Sequence, residues 1–345
     1  MTTVPIWLEK LTMDLSIIFV NYKTAQLLLD CIDSIYTQTK TLSLEIIVAD
    51  NFSQDDSKQI VTGKYPAIVW IDMPYNAGFA RANNAGIKIA TGEFVLILNT
   101  DTIILDGALD KAVSLFKAEK DAVGCGVQLL NTDGSHQISG AHFIKGGLNF
   151  LLPLPYLGSF VRYCGYRLKS TIPSITSISD KMEVDWIVGA FILTTSAIAK
   201  STLLDEDFFM YAEEIEWCSR LRKRGKLFLY EAPKVIHLGG ATSGIFYNTE
   251  ESDNSKNLWN KKGQQILISM MLRIRKQYGI GWFVLMLLLF IGEIPIFAIG
   301  LLIEKMIGKH TKFRWSLFTN YCINMLVLVK LSGKIIINKP HFYKV

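Results

Sequence analysis

Polar and acidic side chains follow three apolar runs of this sequence, at the points where predicted strands end. Asn21 follows the first run, Asp50 and Asn51 follow the second, and Asn99 and Asp101 follow a later one. Because the carboxyl ends of parallel strands share one edge of a sheet, we expect these side chains to meet there. Such oxygen ligands bind Mg²⁺ or Mn²⁺, which can join Asp101 to the diphosphate of a nucleotide whose base or ribose meets Asp50. The simpler alternative for any one of these residues is a cap on the following turn.

A second motif is the stretch 76–86, which consists almost entirely of glycine, alanine and asparagine around Arg81. Small residues let the backbone approach a ligand closely, and a helix start beside an arginine attracts phosphate. The stretch therefore predicts a phosphate contact through Arg81. The alternative is a helix whose small residues pack tightly against the sheet.

A third motif is the acid-rich stretch 205–220, in which large aromatic residues lie between the acids. Glu213, Glu216 and Arg220 have the spacing of one helix face. A carboxylate held beside apolar rings has a raised pKa and can act as a general base. The alternative is a solvated helix whose charges pair with one another.

His237 follows another apolar run and precedes two glycines. A histidine in this position can reach a metal or a phosphate, although a lone histidine after a strand is usually structural. The chain contains neither of the glycine-rich signatures of dinucleotide-binding or P-loop proteins, which disfavours both classes.

Strand-like and helix-like patterns alternate along the first 130 residues, which predicts an α/β fold with a doubly wound, mostly parallel sheet. The later part reads as an irregular, substrate-facing insertion over 131–180, a strand over 183–194 that breaks at Gly189 and Ala190, and a helix over 207–224. The predicted strands of the first part are 15–20, 44–49, 68–71, 94–98 and 122–129, and its helices are 27–36, 78–90 and 108–116.

Charge is distributed unevenly between the body and the tail of the chain. Residues 256–345 hold 14 Lys or Arg and two acids, whereas residues 1–255 hold 22 Lys or Arg and 29 acids. Basic residues flank apolar runs at 279–303 and 315–331, which favours a membrane surface over nucleic acid as the partner. The first run carries Glu293 and Pro295. It fits a hairpin in the membrane, a helix pair in the membrane plane, or a membrane span. The alternative without a membrane is a pair of helices that mediates oligomerisation.

Five scattered cysteines without a CxxC pair argue against a disulfide framework and fit a reducing compartment. The first residues lack a basic segment followed by an apolar core, so no signal peptide is predicted. We therefore expect the acidic body to lie in the cytoplasm.

Taken in order, the motifs resemble those of glycosyltransferase family 2, the inverting GT-A type, and within it the rhamnosyltransferase-like branch of bacterial surface polysaccharide synthesis. The resemblance covers about residues 14–245 and rests on SIIFVNY, VADNFS, NAGFA, LNTD, WIVGA, the block 208–220 and HLGG. It implies a GT-A catalytic domain over 1–250, with a nucleotide-sugar half at 14–130 and an acceptor half at 131–250. Residues 251–345 would form a basic, apolar helical region that associates with the membrane.

The resemblance also implies roles for individual residues. The catalytic base lies in the pair Glu213–Glu214, at Glu214 by position, and Asp101 and His237 bind the metal, Mg²⁺ or Mn²⁺. Asn99 stands where the first acid of the family's metal motif is often found. Nucleotide-sugar contacts fall on Asn21, Asp50, Asn51, Asn76, Gly78, Arg81, Asn83 and Asn99, and acceptor contacts on Trp186, Gly189, Ala190 and Trp217.

The implied reaction transfers a sugar from a dTDP- or UDP-sugar to a polyprenyl-diphosphate-linked acceptor, with inversion at the anomeric carbon. The preferred donor is dTDP-rhamnose, which would supply L-rhamnose. We expect the protein to lie at the cytoplasmic face of the plasma membrane, either peripheral or shallowly inserted. It could also form a homo-oligomer. No nucleic acid partner is expected. The alternative from another class is a non-catalytic module that binds a sugar nucleotide or glycan within a membrane assembly.

Overall fold

The computed structural model describes residues 13–143, 147–167, 174–239, 258–308 and 313–341. The strands of these ranges are β1 Leu15–Asn21, β2 Leu44–Asp50, β3 Val69–Asp72, β4 Phe94–Leu98, β5 Thr102–Ile104, β6 Ala122–Leu130, β7 Gly140–Ala141, β8 Ser174–Ile175, β9 Lys181–Val184, β10 Trp186–Ile187, β11 Phe191–Thr195 and β12 Lys226–His237. The helices are α1 Ala25–Gln38, α2 Ser57–Lys64, α3 Phe79–Ile89, α4 Ala108–Ala118, α5 Leu157–Arg167, α6 Ser196–Ser201, α7 Glu213–Leu221, α8 Lys261–Met306 and α9 Trp315–Ile336, with a short 3-10 turn at Gly147–Leu151.

The central sheet has the strand order β3-β2-β1-β4-β11-β6-β12-β5, with β9 also paired to β12. Strands β3, β2, β1 and β4 run parallel, β11 runs antiparallel between β4 and β6, and β12 is parallel to β6. The predicted α/β fold is confirmed. The register of the parallel part places Asn21 opposite Asp50, so their side chains meet at one edge as expected.

Helices cover both faces of the sheet. One core layer contains apolar side chains of α1, α2 and α4, and the other contains those of α3, α6 and α7. Because both faces are covered, the central strands carry apolar residues at successive positions rather than alternate ones, as the five buried residues of β4 show. This arrangement is what makes the sheet doubly wound.

The structure differs from the sequence-based prediction in two segments of the later half. The insertion predicted to be irregular contains α5 and a small second sheet of β10, β7 and β8. The helix predicted from Asp207 begins only at Glu213, because Tyr211 and Ala212 have left-handed backbone angles, with φ of 70° and 67°. Residues with positive φ interrupt a right-handed helix, so the two glutamates stand at its start.

The tail forms a helical hairpin in which α9 packs back on α8. Gly279, with a φ of 87°, divides α8 into a first helix that packs on the body and a second, more apolar helix. By length and composition α8 could cross a membrane, and only 28% of its most apolar stretch is buried within the protein. Most of that stretch therefore faces outward, as a membrane-associated segment requires.

Glu293, the acid inside the apolar run, caps the insertion helix. Its side chain is fully buried and accepts the backbone N–H groups of Tyr156 at 2.7 Å and Leu157 at 3.1 Å, at the start of α5. The ring of Tyr156 lies against Gly300, where an added Cβ would be 2.5 Å from the ring. A residue that is costly in lipid thus serves as a helix cap and joins the insertion to the tail.

Candidate active site

A cavity of about 250 Å³ opens at the carboxyl edge of the parallel strands. The turn after β4 and the end of β12 line it with Asp101 and His237, and the start of α7 lines it with Glu213 and Glu214. Predicted site residues that line it are Asn51, Asn76, Asn99, Asp101, Gly189, Ala190, Glu213, Glu214 and His237. The structure therefore brings together nine predicted residues from distant parts of the chain.

Asp101 and His237 lie side by side because β5 and β12 pair antiparallel, with Thr102 opposite His237. The backbone N–H of Leu238 donates to the Asp101 carbonyl at 2.9 Å, which extends this pairing past the strand ends. His237 Nε2 lies 3.5 Å from Asp101 Oδ1. That carboxylate oxygen is buried and has no hydrogen-bond donor among the described residues.

Gln137, which sequence reasoning missed, sets the protonation of His237. Its amide nitrogen donates to Asn131 Oδ1 at 3.0 Å and to the His237 carbonyl at 3.2 Å, so its oxygen faces His237 Nδ1 at 2.7 Å. Nδ1 therefore carries a proton, and in the neutral imidazole the lone pair of Nε2 lies toward Asp101 Oδ1. The lone pair of Nε2 and the carboxylate oxygen repel each other unless a cation lies between them. A hydrogen bond from Nδ1 to a neighbouring oxygen, as Gln137 accepts here, is usual for a histidine that binds a metal through Nε2.

Asp101 and His237 provide part of a site for a divalent cation. Among the described residues no group of three or more His, Cys, Asp or Glu side chains could hold a metal. Asp101 Oδ1 and His237 Nε2 supply two ligands, and the Asn99 amide nitrogen lies 3.4 Å from His237 Nε2. The donor set fits a cation whose remaining ligands come from a bound substrate and water.

Asn21 and Asp50 meet as predicted, but they bond to each other. Asp50 Oδ1 accepts from Asn21 Nδ2 at 2.7 Å and from the Ser53 hydroxyl at 2.6 Å, while its Oδ2 accepts the Ser53 N–H at 2.9 Å. Asn21 is fully buried. Asp50 lines a neighbouring surface depression with Trp70 and Lys58.

Asn51 and Asn76 form the floor between the two depressions. Asn51 donates to Asn76 Oδ1 at 2.8 Å and accepts the Ala77 N–H at 2.8 Å, which fixes the loop before α3. Gly78 follows in this loop with a φ of 85°, and an added Cβ would lie 2.2 Å from the carbonyl oxygen of Phe209. The close approach that was predicted for Gly78 is therefore to the backbone of the segment that carries the two glutamates.

Arg81 and Asn83 do not line the cavity. Arg81 donates to the carbonyl of Glu206 at 2.8 Å and also contacts His341, while Asn83 is fully buried and donates to the Phe79 carbonyl. Small residues of α3 instead allow close packing, since an added Cβ at Gly86 would lie 2.6 Å from Ile18. The small residues of α3 therefore serve close packing against the sheet, which is the alternative interpretation of this stretch.

Glu213 and Glu214 form the acidic wall of the cavity. Burial, and then the charge of Glu214, raise the pKa of Glu213 well above its ordinary value. Burial also raises the pKa of Glu214, whereas backbone hydrogen bonds and the charge of Arg273 lower it. Gly189 packs against Glu214, where an added Cβ would lie 3.6 Å from its side chain. The pair is arranged so that Glu213 holds a proton more tightly than Glu214 does.

Other predicted residues of this region serve the structure of α7. Both oxygens of Glu216 accept from Arg220 at 2.8 to 3.0 Å, so these two charges pair with each other outside the cavity. Trp217 is fully buried, and its indole N–H donates to the Thr202 carbonyl. Trp186 is half-buried in β10 beyond the cavity lining, so Gly189 and Ala190 are the predicted acceptor residues that reach the cavity.

The first half of α8 holds the segment that carries the glutamates, a role that the sequence did not suggest. The Met210 carbonyl accepts from the Ser269 hydroxyl at 2.6 Å and from Gln265 Nε2 at 3.2 Å. Lys276 binds Asp205 and Asp207, each at 2.6 Å. Nothing in the local sequence of α8 marks these residues, because each partner lies about 60 to 70 positions away along the chain.

The doubly wound sheet brings a carboxylate pair and an Asp–His pair into one cavity at its carboxyl edge, as the family resemblance of the motifs leads one to expect. Residues 16–171 match the family model described as glycosyl transferase family 2. The chain therefore contains a family 2 glycosyltransferase domain, as its motifs predicted.

Two relatives of this chain are named as glycosyltransferases. The chain is 27% identical over 216 residues to the low-salt glycan biosynthesis hexosyltransferase Agl10 of Haloferax volcanii, a match that covers 61% of this chain and 62% of that protein. It is 25% identical over 217 residues to the N-acetylglucosaminyl-diphospho-decaprenol L-rhamnosyltransferase of Mycobacterium tuberculosis, with 58% and 68% of the two chains covered. The match thus spans just under two thirds of Agl10.

A solved structure shows the same fold. GalNAc-T7, crystallised with UDP, GalNAc and Mn²⁺, superposes with a TM-score of 0.50 at 13% identity, over 76% of this chain and 48% of that one. At this identity the likeness concerns the fold alone.

Proposed function

We propose that this protein is an inverting glycosyltransferase that moves a sugar from a nucleotide diphosphate to a hydroxyl of a polyprenyl-diphosphate-linked glycan. The observation that carries the proposal is that Glu213 and Glu214 line the same cavity as Asp101 and His237. A base and a leaving-group site in one cavity are what a single displacement requires. The name of the mycobacterial relative supports L-rhamnose as the transferred sugar and a lipid-linked acceptor. The choice of dTDP-rhamnose as its donor follows from the resemblance of the motifs.

The two glutamates have different roles in this reaction. Glu214 accepts the proton of the acceptor hydroxyl. Burial raises its pKa, but the charge of Arg273 opposes this, so its pKa is raised less than that of Glu213. The oxygen of that hydroxyl attacks the anomeric carbon as the bond to the diphosphate breaks on the opposite face, so configuration inverts. Glu213 is buried deeper and keeps its own proton, which relieves repulsion between the two side chains.

The leaving diphosphate is received at Asp101 and His237. Asp101 and His237 would hold Mg²⁺ or Mn²⁺, which neutralises charge on the departing diphosphate when bound. Gln137 keeps His237 in the tautomer whose Nε2 can bind the cation. Asn51, Asn76 and Asn99 orient the nucleotide sugar with amide hydrogen bonds from the floor.

We propose that the tail brings the cavity to the cytoplasmic face of the plasma membrane. Exposed apolar side chains of α8 and α9 include Trp282, Leu288, Met306, Trp315 and Leu326. Lys305 and Arg314 directly precede two of them in the sequence. Apolar contact combined with basic residues is the pattern of association with anionic lipids. An acceptor whose lipid stays in the membrane could then place its sugar in the cavity.

A donor screen tests the function directly. The full chain in detergent would be given dTDP-L-rhamnose, UDP-glucose and UDP-GlcNAc with a short-chain polyprenyl-diphosphate GlcNAc acceptor, and products would be identified by mass spectrometry. We expect one donor to be transferred with inversion, and Asp101→Asn or Glu214→Gln to abolish transfer. Glu216→Gln is the matched control, since it lies on the same helix but outside the cavity.

Two results would contradict the proposal. Retention of configuration at the anomeric carbon would exclude a single displacement. Binding of a donor without transfer or hydrolysis would instead identify the non-catalytic module that the sequence left as an alternative.

A further inference from the structure

Arg273 of α8 is a half-buried cation beside the proposed base. Its guanidinium carbon lies 5.3 Å from the centre of the Phe150 ring, and its Nε donates to Gln277 Oε1 at 3.0 Å. It lies outside the cavity lining but close enough for its charge to act on Glu214. Phe150 belongs to the 3-10 turn of the insertion, so Arg273 sits where the insertion, α7 and α8 come together.

The charge of Arg273 has no carboxylate partner at ion-pair distance. Among the described residues no Asp or Glu oxygen lies within 4.0 Å of its guanidinium. The neighbouring cations of α8 are occupied, since Lys276 binds two aspartates and Arg275 donates to the Ile336 carbonyl at 3.0 Å. A guanidinium that is partly removed from water without a paired anion is costly, so its surroundings favour an anionic ligand.

A second buried donor points to the same place. Gln277 Nε2 is buried and has no hydrogen-bond acceptor within the described part of the chain. Its oxygen is held by Arg273, so the amide group and the guanidinium form one cluster. The Arg273 side chain also hydrogen bonds to Tyr278. A guanidinium has five N–H groups, more than these two partners use, and adjacent N–H donors are what a phosphate oxygen requires.

The position of this cluster identifies which phosphate it would bind. The donor diphosphate is assigned to Asp101 and His237, whereas the charge of Arg273 acts on Glu214, the proposed base that meets the acceptor hydroxyl. Gly279 follows shortly after, and beyond it the exposed apolar side chains Ile280, Trp282 and Leu285 begin. A lipid-linked acceptor with its chain on this apolar surface and its sugar in the cavity has its diphosphate between them.

We propose that Arg273, together with Gln277, binds a phosphate of the acceptor lipid. This inference rests on the proposed function, because it assigns the subsite that recognises the diphosphate of that acceptor. The planar guanidinium supplies two parallel hydrogen bonds to one phosphate, and Phe150 holds its plane. The subsite would separate diphosphate-linked acceptors from free glycans.

The test compares two acceptors with the same sugar, one a short-chain polyprenyl-diphosphate glycoside and the other a neutral alkyl glycoside. The readout is the ratio of their kcat/KM values, because any effect of Arg273 on Glu214 acts on both acceptors and cancels. We expect Arg273→Gln to lower this ratio about tenfold or more, and Arg273→Lys, which keeps the charge but loses the fork, to lower it less. Arg275→Gln is the matched control and should leave the ratio unchanged.

Other outcomes would overturn the inference. An equal loss with both acceptors would show that Arg273 only positions Glu214. A weaker affinity for UDP in Arg273→Gln would move the phosphate to the donor, and weaker binding to vesicles of anionic lipid with an unchanged ratio would move it to a lipid headgroup. Failure of the wild-type protein to use either acceptor would contradict the proposed function itself.

Discussion

The carbonyl oxygen of Phe209 occupies the space in which a side chain on Gly78 would begin, 2.2 Å from an added Cβ. The next residue, Phe79, donates its N–H to the same carbonyl at 2.8 Å. This contact joins the loop that forms the nucleotide side of the cavity to the segment that carries Glu213 and Glu214. The two walls are therefore fixed relative to each other by backbone atoms.

Gly78→Ala should consequently damage both the fold and the reaction. The new methyl group would clash with a backbone carbonyl at a positive φ, so we expect a loss of about 2–4 kcal/mol in the free energy of unfolding. Gly63→Ala is the control, because Gly63 lies in α2 with nothing within 4 Å of an added Cβ. Denaturant unfolding of both variants measures the difference, and equal stability would show that the Phe209 contact is dispensable.

The two glutamates should respond differently to neutralisation. Glu214→Gln should lower kcat by about 10²–10⁴-fold because it removes the base, whereas Glu213→Gln should retain most of the activity. Initial rates with saturating donor measure both. Full activity in Glu214→Gln together with loss in Glu213→Gln would reverse the assignment.

Stability should depend on pH through Glu213. Because burial raises its pKa in the folded state, the native protein binds a proton that the unfolded chain has released. Its contribution is complete below the ordinary Glu pKa of about 4.3 and is lost as pH rises toward the folded value. Glu213→Gln should therefore become more stable than the wild type as pH rises, by ~1 kcal/mol or a Tm gain of ~2–4 °C near pH 8. A Tm difference that is constant from about pH 5 to pH 8 would contradict this reading.

Glu293 should matter through the insertion helix. Glu293→Ala removes the acceptor of two backbone N–H groups at the start of α5, and we expect a cost of about 1–3 kcal/mol. Hydrogen exchange over 157–167 would show the opening of α5. Glu304→Gln on the same helix is the control, because an amide oxygen can still accept from the Tyr156 hydroxyl. Unchanged exchange in Glu293→Ala would mean that the cap contributes little.

Gln137 should affect the cation site without touching a substrate. Gln137→Leu removes the acceptor of the His237 Nδ1 proton, so we expect the affinity for Mn²⁺ to fall about 10–100-fold. The Mn²⁺ concentration for half-maximal activity, and a Mn²⁺ titration with UDP present, measure this affinity. Gln59→Leu is the control, because Gln59 is exposed. Gln128 is not suitable, because its side chain donates to the Thr176 carbonyl in the core. Equal Mn²⁺ dependence in Gln137→Leu and the wild type would remove the tautomer argument.

Local pattern was sufficient for the elements of the nucleotide half and for most of the residues that reach the cavity. Strand β4 has the predicted bounds, and Asp101, Glu214 and His237 were all identified from short motifs. The reason is that buried strands, helix starts and strand-end polar residues leave marks within a few positions of one another. The family 2 assignment followed from the order of these motifs and is confirmed by the family match.

Partners that come from distant segments could not be read from such patterns. Arg81 was predicted to face a phosphate, yet its guanidinium lies at the Glu206 carbonyl. The tail holds the Met210 carbonyl and places Arg273 where its charge acts on Glu214. Hydrogen-bond partners and buried charges depend on which elements pack together across the whole chain, and that packing carries no local periodicity. Residue types and motif order therefore define the chemistry, whereas long-range packing selects which of those side chains reach the cavity.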